Sequence, residues 1–366
     1  MRIAQVAPPF ETVPPERYGG TERVVSALTE ELVRRGHEVT LIAPAGSRTA
    51  ARLLPSVDKA LWLQDPEPTD LSAGWLLTLG QLWNHVDEFD IIHSHLDRYG
   101  FAAARAAPVP MLTTLHNRLD VPEMRQVFEH FEDIPLAAIS DSQRRQVQGV
   151  NWVGVVHHGI HLEEFTFSPR HSEYLAFLGR ISPDKGLDAA IRVARRAGLP
   201  LRVAAREPLS STFDPNANGD VVYFEEVIRP LLADGGVELI GQVDATGRDE
   251  LLRNAAALLF PIRWPEPFGL VMIESLACGT PVVALECGSV PEVIRTGVTG
   301  FVCRSEDELV NGVERIDDID RRACRQEAES RFSPGSMAAN YEAIYRRLLN
   351  DQAPGAPLQS GAVSSL

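Results

Sequence analysis

Short, continuous apolar runs alternate with amphipathic stretches from the first residues of this 366-residue chain to about residue 349. In the first half, residues 3–7, 39–43, 91–94, 111–115, 136–139 and 153–157 form brief apolar runs rich in Val, Ile, Leu and Ala. Runs this short, bounded by polar turns, predict strands buried on both faces, as in a parallel sheet. Between them, residues 21–35, 71–86 and 99–106 have helical spacing. In 21–35 the apolar positions are Val24, Val25, Leu28, Leu32 and Val33, and Gly36 stands as the C-terminal stop. After a link at 163–172 the alternation restarts, with strands at 174–178, 201–205, 237–240, 258–261, 282–285 and 301–302 and a helix at 187–197. The pattern predicts an α/β protein of two units, 1–168 and 172–334, each built on a parallel sheet and facing the other across a cleft. A last helix over 336–349, apolar at Met337, Tyr341, Ile344, Tyr345 and Leu348, follows the second unit. The Pro/Gly/Ser/Ala-rich tail 351–366 is expected to be disordered.

Charge narrows the partners. The net charge is −15, and residues 1–165 carry 14 basic against 22 acidic side chains. A broad attraction to nucleic acid or to an anionic membrane is therefore not expected. Met1 runs straight into a strand, and no apolar stretch approaches the roughly 20 residues of a membrane span, so a cytoplasmic protein without a transmembrane segment is expected. The four cysteines, Cys278, Cys287, Cys303 and Cys324, lack metal-ligand spacing and read as buried free thiols. All ten histidines fall within residues 37–171, and His93, His95, His157, His158 and His161 could be counted as metal ligands. No carboxylate-rich set or cysteine completes such a site, so no metal is expected.

The candidate chemistry lies in three loops where a strand leads into a helix, the place where open α/β sheets hold ligands. Glu266 and Glu274, eight positions apart around Phe268-Gly269-Leu270, offer carboxylates that accept hydrogen bonds from hydroxyls. Each also has a plain reading, as a helix-flanking or solvated acid. Arg180 and Lys185, before the helix at 187–197, form a ready diphosphate site, or else two solvated cations. In 18–22, Tyr-Gly-Gly-Thr-Glu, the pair Gly19 and Gly20 lets backbone N–H groups approach a ligand or simply makes a tight turn. It is not the G-x-G-x-x-G fingerprint, which argues against NAD or FAD. His116 ends a strand and points toward the presumed cleft, and Ser140 starts a helix as an N-cap. Arg263 and Trp264 precede Glu266 and could frame the ligand pocket there.

The stretch 256–285 resembles the E-x7-E signature of glycosyltransferase family 4, retaining enzymes of the GT-B fold that use nucleotide sugars. The fold implied is two facing Rossmann-like domains with parallel sheets and a deep interdomain cleft, with the last helix crossing back onto the first domain. By the same resemblance, Arg180 and Lys185 take the diphosphate of a UDP- or GDP-type donor. Glu266, with the backbone of Phe268, Gly269 and Leu270, takes the sugar hydroxyls, and Glu274 takes the ribose. Gly241-Gln242-Val243 lies beside the base, Gly19 and Gly20 face the donor phosphates and the acceptor, and His116 meets the sugar near the reacting carbon. The family often has a Gly-rich turn beneath the base where this chain has Val203-Ala204-Ala205-Arg206. It typically has Asn and Asp where His158 and His161 stand. The implied reaction is metal-independent transfer of a hexosyl group to a hydroxyl acceptor, whether a sugar, a small molecule or a lipid-linked group. A nucleotide-sugar epimerase, a sugar phosphorylase or a non-catalytic nucleotide-sugar binder on the same scaffold are the alternatives.

Overall fold

A computed structural model describes residues 1–16, 19–66, 68–209 and 217–351. Two parallel sheets organise the chain. The first contains β1 (Arg2–Val6), β2 (Glu38–Ala43), β3 (Arg52–Pro55), β4 (Ile91–Ser94), β5 (Met111–Thr114), β6 (Leu136–Ala138) and β7 (Trp152–Val155). The second contains β8 (Leu175–Leu178), β9 (Leu201–Ala204), β10 (Val237–Leu239), β11 (Ala257–Phe260), β12 (Val282–Leu285) and β13 (Gly300–Cys303). Strand order is β3-β2-β1-β4-β5-β6-β7 in the first sheet and β10-β9-β8-β11-β12-β13 in the second, with every pairing parallel. The central strands β4, β5 and β11 are buried along their whole length; β11 is an unbroken apolar run, whereas β4 and β5 end in His93-Ser94 and Thr113-Thr114, which are buried as well. Strand β3 was not expected. It is a partly exposed edge strand ending in a proline, where no ladder partner is needed.

The helix Gly20–Arg34 buries Val24, Val25, Leu28 and Leu32 against the first sheet, and Gly36 at φ +85° ends it. The last helix begins at Pro334 and runs to Asp351, longer than its apolar pattern suggested. It buries Met337, Tyr341, Ile344, Tyr345 and Leu348 with Ile3, Val24 and Leu28 in one core cluster of the first unit. Each such side chain contributes about 1.5–3 kcal/mol of apolar burial. The chain thus passes between the two units twice, and the two passages run side by side, with Ile160 N donating to Phe332 O at 3.0 Å. A Cβ on Gly159 would lie 2.4 Å from Ser333 O, so only glycine permits this approach. Of the tail at 351–366, Asp351 closes the last helix and the rest lies outside the described residues, as does Tyr18. The four cysteines are unbridged. No helix of the described residues is long and apolar enough to cross a membrane.

Candidate functional site

In the second sheet the strand order reverses between β8 and β11, so the loops leaving these strands diverge and open a crevice at their C-terminal ends. The loop after β8 carries Arg180 and Lys185, and the loop after β11 carries Trp264, Glu266 and Phe268. Arg263 N donates to Asp184 O at 2.8 Å and ties the two loops together. Lys185 Nζ donates to Glu266 Oε2 at 2.6 Å, so the two expected site residues meet directly. The Lys185 ammonium lies 5.1 Å from the Trp264 ring centroid, and the Arg118 guanidinium of the first unit lies 5.3 Å from it. Trp264 Nε1 is buried without a hydrogen-bond partner among the described residues. Behind Glu266, Gly288 has φ +58°, and a Cβ there would lie 2.3 Å from Glu266 N. Ser289 N donates to Glu266 O at 3.0 Å, so close backbone contacts hold the Glu266 main chain while Lys185 holds its carboxylate.

Glu274 projects from helix Leu270–Ala277 and is 2% exposed. Its carboxylate is ion-paired to Arg23, which stands on the first-unit helix Gly20–Arg34, and lies 3.5 Å from Arg248 Nη1. In this conformation the second carboxylate of the expected pair is therefore covered, and a ligand reaches it only if Arg23 gives way. The same helix meets the Gly19-Gly20 turn, since a Cβ on Gly20 would lie 3.4 Å from Leu270 Cδ1. Gly269, at φ +74°, starts helix Leu270–Ala277 without a side-chain cap, and Gly19 likewise starts helix Gly20–Arg34 uncapped. Both helix N-termini keep N–H groups available for an anion. Phe268 is a core residue whose carbonyl accepts from Ser289 Oγ at 2.8 Å. In the first turn of helix Gly20–Arg34, burial pushes the Glu22 carboxyl up to about 7, with the negative charge of Glu11 adding to the effect.

His116 follows β5, and its Nε2 lies 2.8 Å from His95 Nδ1. The His116 ring stacks on His158 at 5.2 Å, and His158 packs edge-on against Phe268 at 4.9 Å, so a row of rings joins the two units. Burial pushes His116 down to about 3 and lowers His95 and His158 well below the usual range, leaving these imidazoles neutral at pH 7. The Nδ1 atoms of His116 and His158 are buried without a hydrogen-bond partner among the described residues. Parallel register places Gln5 beside His93, and Gln5, Thr114 and Tyr345 satisfy the nitrogens of His93 and His95. Among the described residues no three His, Cys, Asp or Glu side chains gather as a metal site requires.

Other expected residues lie apart from the Lys185–Glu266 pair. Arg180 is exposed, with Nε 3.4 Å from Asp220. Arg263 forms a two-pronged pair with Asp188 at 2.9 and 2.8 Å, which, against the opposing effect of burial, helps hold that carboxyl down at about 2. Gln242 and Val243 follow edge strand β10, two strands from β8. Ser140 is the N-cap, accepting from Gln143 N at 3.0 Å. Arg23, Arg118, Arg248 and Glu292 join the site without having been singled out in the sequence. Glu292 accepts from the N–H groups of Asp141 and Ser142 at 2.7 and 2.6 Å and lies 3.3 Å from His157 Nε2. One second-unit carboxylate thus caps a first-unit helix and clasps the cleft.

The Glycosyltransferase Family 4 model matches residues 18–164, and the Glycosyl transferases group 1 model matches residues 162–331. The chain is 28% identical over 334 residues to a phosphatidyl-myo-inositol mannosyltransferase of Mycolicibacterium smegmatis, covering 84% of this chain and 82% of that protein. It is 25% identical over 392 residues to a D-inositol 3-phosphate glycosyltransferase of the same organism, covering 91% and 87%. The structure of Anabaena HepE in complex with UDP and glucose superposes with a TM-score of 0.68 at 18% identity, over 95% of this chain and 100% of that one. Matched from residue 18 to residue 331 by two adjoining family models, and built on paired sheets whose loops bring Lys185 to Glu266, the chain belongs to glycosyltransferase family 4, the group 1 glycosyl transferases of GT-B fold.

Proposed function

We propose that this glycosyltransferase moves a hexosyl group from a UDP- or GDP-type sugar to a hydroxyl acceptor, with retention of configuration and without a metal ion. The donor lies on the unit 172–334, and the unit 1–168, with the last helix, supplies the acceptor side. The observation that carries the reading is the Lys185–Glu266 pair at the switch point of the second sheet. In the free protein these groups satisfy each other. A bound donor takes both, its diphosphate the ammonium and its sugar hydroxyls the carboxylate. Arg180 turns from Asp220 to the second phosphate, and Glu274 exchanges Arg23 for the ribose hydroxyls. Trp264 Nε1, buried and unpartnered, is placed to donate to the same ligand.

As the glycosidic bond to the diphosphate breaks, negative charge grows on the leaving oxygen, and Lys185 and Arg180 stabilise it. The acceptor hydroxyl attacks from the same face, its proton passing to the departing phosphate oxygen. His116 is neutral, so it orients the sugar by hydrogen bonding rather than acting as a charged acid. Glu292 holds the units together and excludes water. The name of HepE's complex, with UDP and glucose, supports a UDP-type donor. The test is an NMR time course with UDP-, GDP- and ADP-sugars and a panel of hydroxyl acceptors. A glycoside with the donor's anomeric configuration is expected. A free epimer, or a sugar phosphate formed from glycoside and phosphate, would replace this reading with an epimerase or a phosphorylase.

A further inference from the structure

The first sheet has a switch point of its own, where the order reverses between β1 and β4. The loops leaving those two strands carry Phe10 and Tyr99. With Trp62 and Trp75 they form one continuous aromatic cluster. Phe10 lies 5.2 Å from both tryptophan rings, and Trp75 stacks on Tyr99 at 4.2 Å and 15°. Trp62 is 52% exposed and Tyr99 43%, so the cluster shows flat aromatic surface to solvent. It is joined to the reacting side of the cleft through the loop after β4. There, His95 meets the His116 ring, and Asp97 accepts from His116 N at 2.9 Å and from the Asn117 side chain at 2.5 Å. Asp97, at φ +47°, is the one described non-glycine residue in the left-handed region, a strain that clusters at ligand sites.

We propose that Phe10, Trp62, Trp75 and Tyr99 form the acceptor subsite, and that the acceptor presents a polyhydroxylated six-membered ring to it. This rests on the transferase reading above and names the acceptor class for it. Such a ring has an apolar C–H face, which suits the negative face of an aromatic system, and a hydroxyl rim. Arg98, whose guanidinium lies 4.7 Å from the Tyr99 ring centroid, stands at that rim. Helix Ser72–Trp83, which supplies Trp75, carries no charged side chain. With Arg98 as the cation at the cluster, on a half with 14 basic and 22 acidic residues, the surface suits a neutral ring better than an anionic lipid surface. The ring stacks on the cluster and turns one hydroxyl toward the reacting side of the cleft, which the loop after β4 joins to it.

Saturation-transfer NMR on the full chain with UDP present tests this, using methyl α-D-glucopyranoside, maltose and myo-inositol as probes. At least one probe is expected to show saturation of its ring C–H protons. Trp62→Ala and Tyr99→Ala are each expected to weaken that probe's binding about 5- to 10-fold, whereas Trp83→Ala, further along the same helix, leaves it unchanged. Both tested positions are exposed, and thermal melts of each variant confirm that it folds. Absence of saturation for every probe, or saturation that survives both substitutions, would overturn the proposal. So would binding to phosphatidylcholine–phosphatidylglycerol vesicles that both substitutions abolish, which would assign the surface to a membrane. Calorimetry with nucleotide sugars, run on the same samples, separates the two claims. Donor binding within twofold of wild type in both variants is expected, and loss of donor binding there would overturn the assignment to the acceptor. Failure of the wild type to bind any donor would instead sink the transferase reading.

Discussion

Lys185→Ala removes an ammonium that lies 2.6 Å from Glu266 Oε2 and 5.1 Å from the Trp264 ring. The two side chains are 21% and 13% exposed, so the pair is only partly screened by water. At an effective dielectric of about 20, a unit charge about 4 Å from a phosphate contributes roughly 4 kcal/mol. Deleting one donor to a developing anion costs about 2.7–4 kcal/mol in rate. The kcat/KM for nucleotide release is therefore expected to fall about 10²- to 10³-fold. Stability should move by no more than about 1 kcal/mol, the range for a partly exposed ion pair. A second variant separates phosphate binding from a mere brace for Glu266. If Lys185 only held the carboxylate in place, adding Lys185→Ala to Glu266→Gln would cost nothing further. If it holds the diphosphate, the double variant loses at least about another tenfold. The assay is the initial rate of nucleoside diphosphate release at donor concentrations below KM. Activity of Lys185→Ala within fivefold of wild type, or no added loss in the double variant, would refute the reasoning.

Three further outcomes follow from the geometry. Glu22, pushed up to about 7, binds its proton more tightly folded than unfolded, where it titrates near 4.5. Stability is therefore expected to fall as pH rises between those values, and Glu22→Gln should restore about 2–3 kcal/mol at pH 8 and almost nothing at pH 4; equal Tm shifts at both pH values would contradict this. Despite the opposing effect of burial, hydrogen bonds from His157 and from the Asp141 and Ser142 N–H groups hold Glu292 below the usual carboxylate range. Its stabilising contribution is thus present above pH 4.5 and lost as pH falls through the lowered value, and Glu292→Ala should cost about 2 kcal/mol and enlarge the radius of gyration in X-ray scattering; an unchanged radius would count against the clasp. Gly288→Ala forces a Cβ to within 2.3 Å of Glu266 N at φ +58°, so kcat/KM should drop at least about tenfold, and a variant of normal activity would show that the position of Glu266 does not matter.

The sheets were legible because a strand buried on both faces is largely apolar: β11 and β12 are so throughout, and β4 and β5 in their first two residues. Edge strand β3 was not legible, because a half-exposed run of Arg-Leu-Leu-Pro looks like loop. Lys185 and Glu266 could be placed in neighbouring loops from their motifs, but not paired, since the contact spans 81 positions. Arg23 was harder still. Its position on helix Gly20–Arg34 reads as an ordinary helix charge, and its role is set by Glu274, 251 residues away in the other unit. The histidines could be counted as ligands, but no carboxylate set or cysteine completed a site, and the contacts of His93 and His95 were not legible. Sheet register instead gives them Gln5, and the last helix gives them Tyr345, so they form a buried hydrogen-bonded row. The pairing of Arg263 was hidden for the same reason, since its partner Asp188 lies on a helix 75 positions earlier.

The central claim is that one nucleotide sugar occupies the crevice between β8 and β11 and replaces the ion pairs that Lys185 and Glu274 make without it. Isothermal titration of UDP-, GDP- and ADP-sugars into the wild type, Lys185→Ala and Glu274→Gln tests it most directly. The account expects at least one donor to bind the wild type and to lose about 30-fold or more in affinity, roughly 2 kcal/mol, with each substitution. Binding that survives both substitutions, or no binding of any nucleotide sugar, would contradict it.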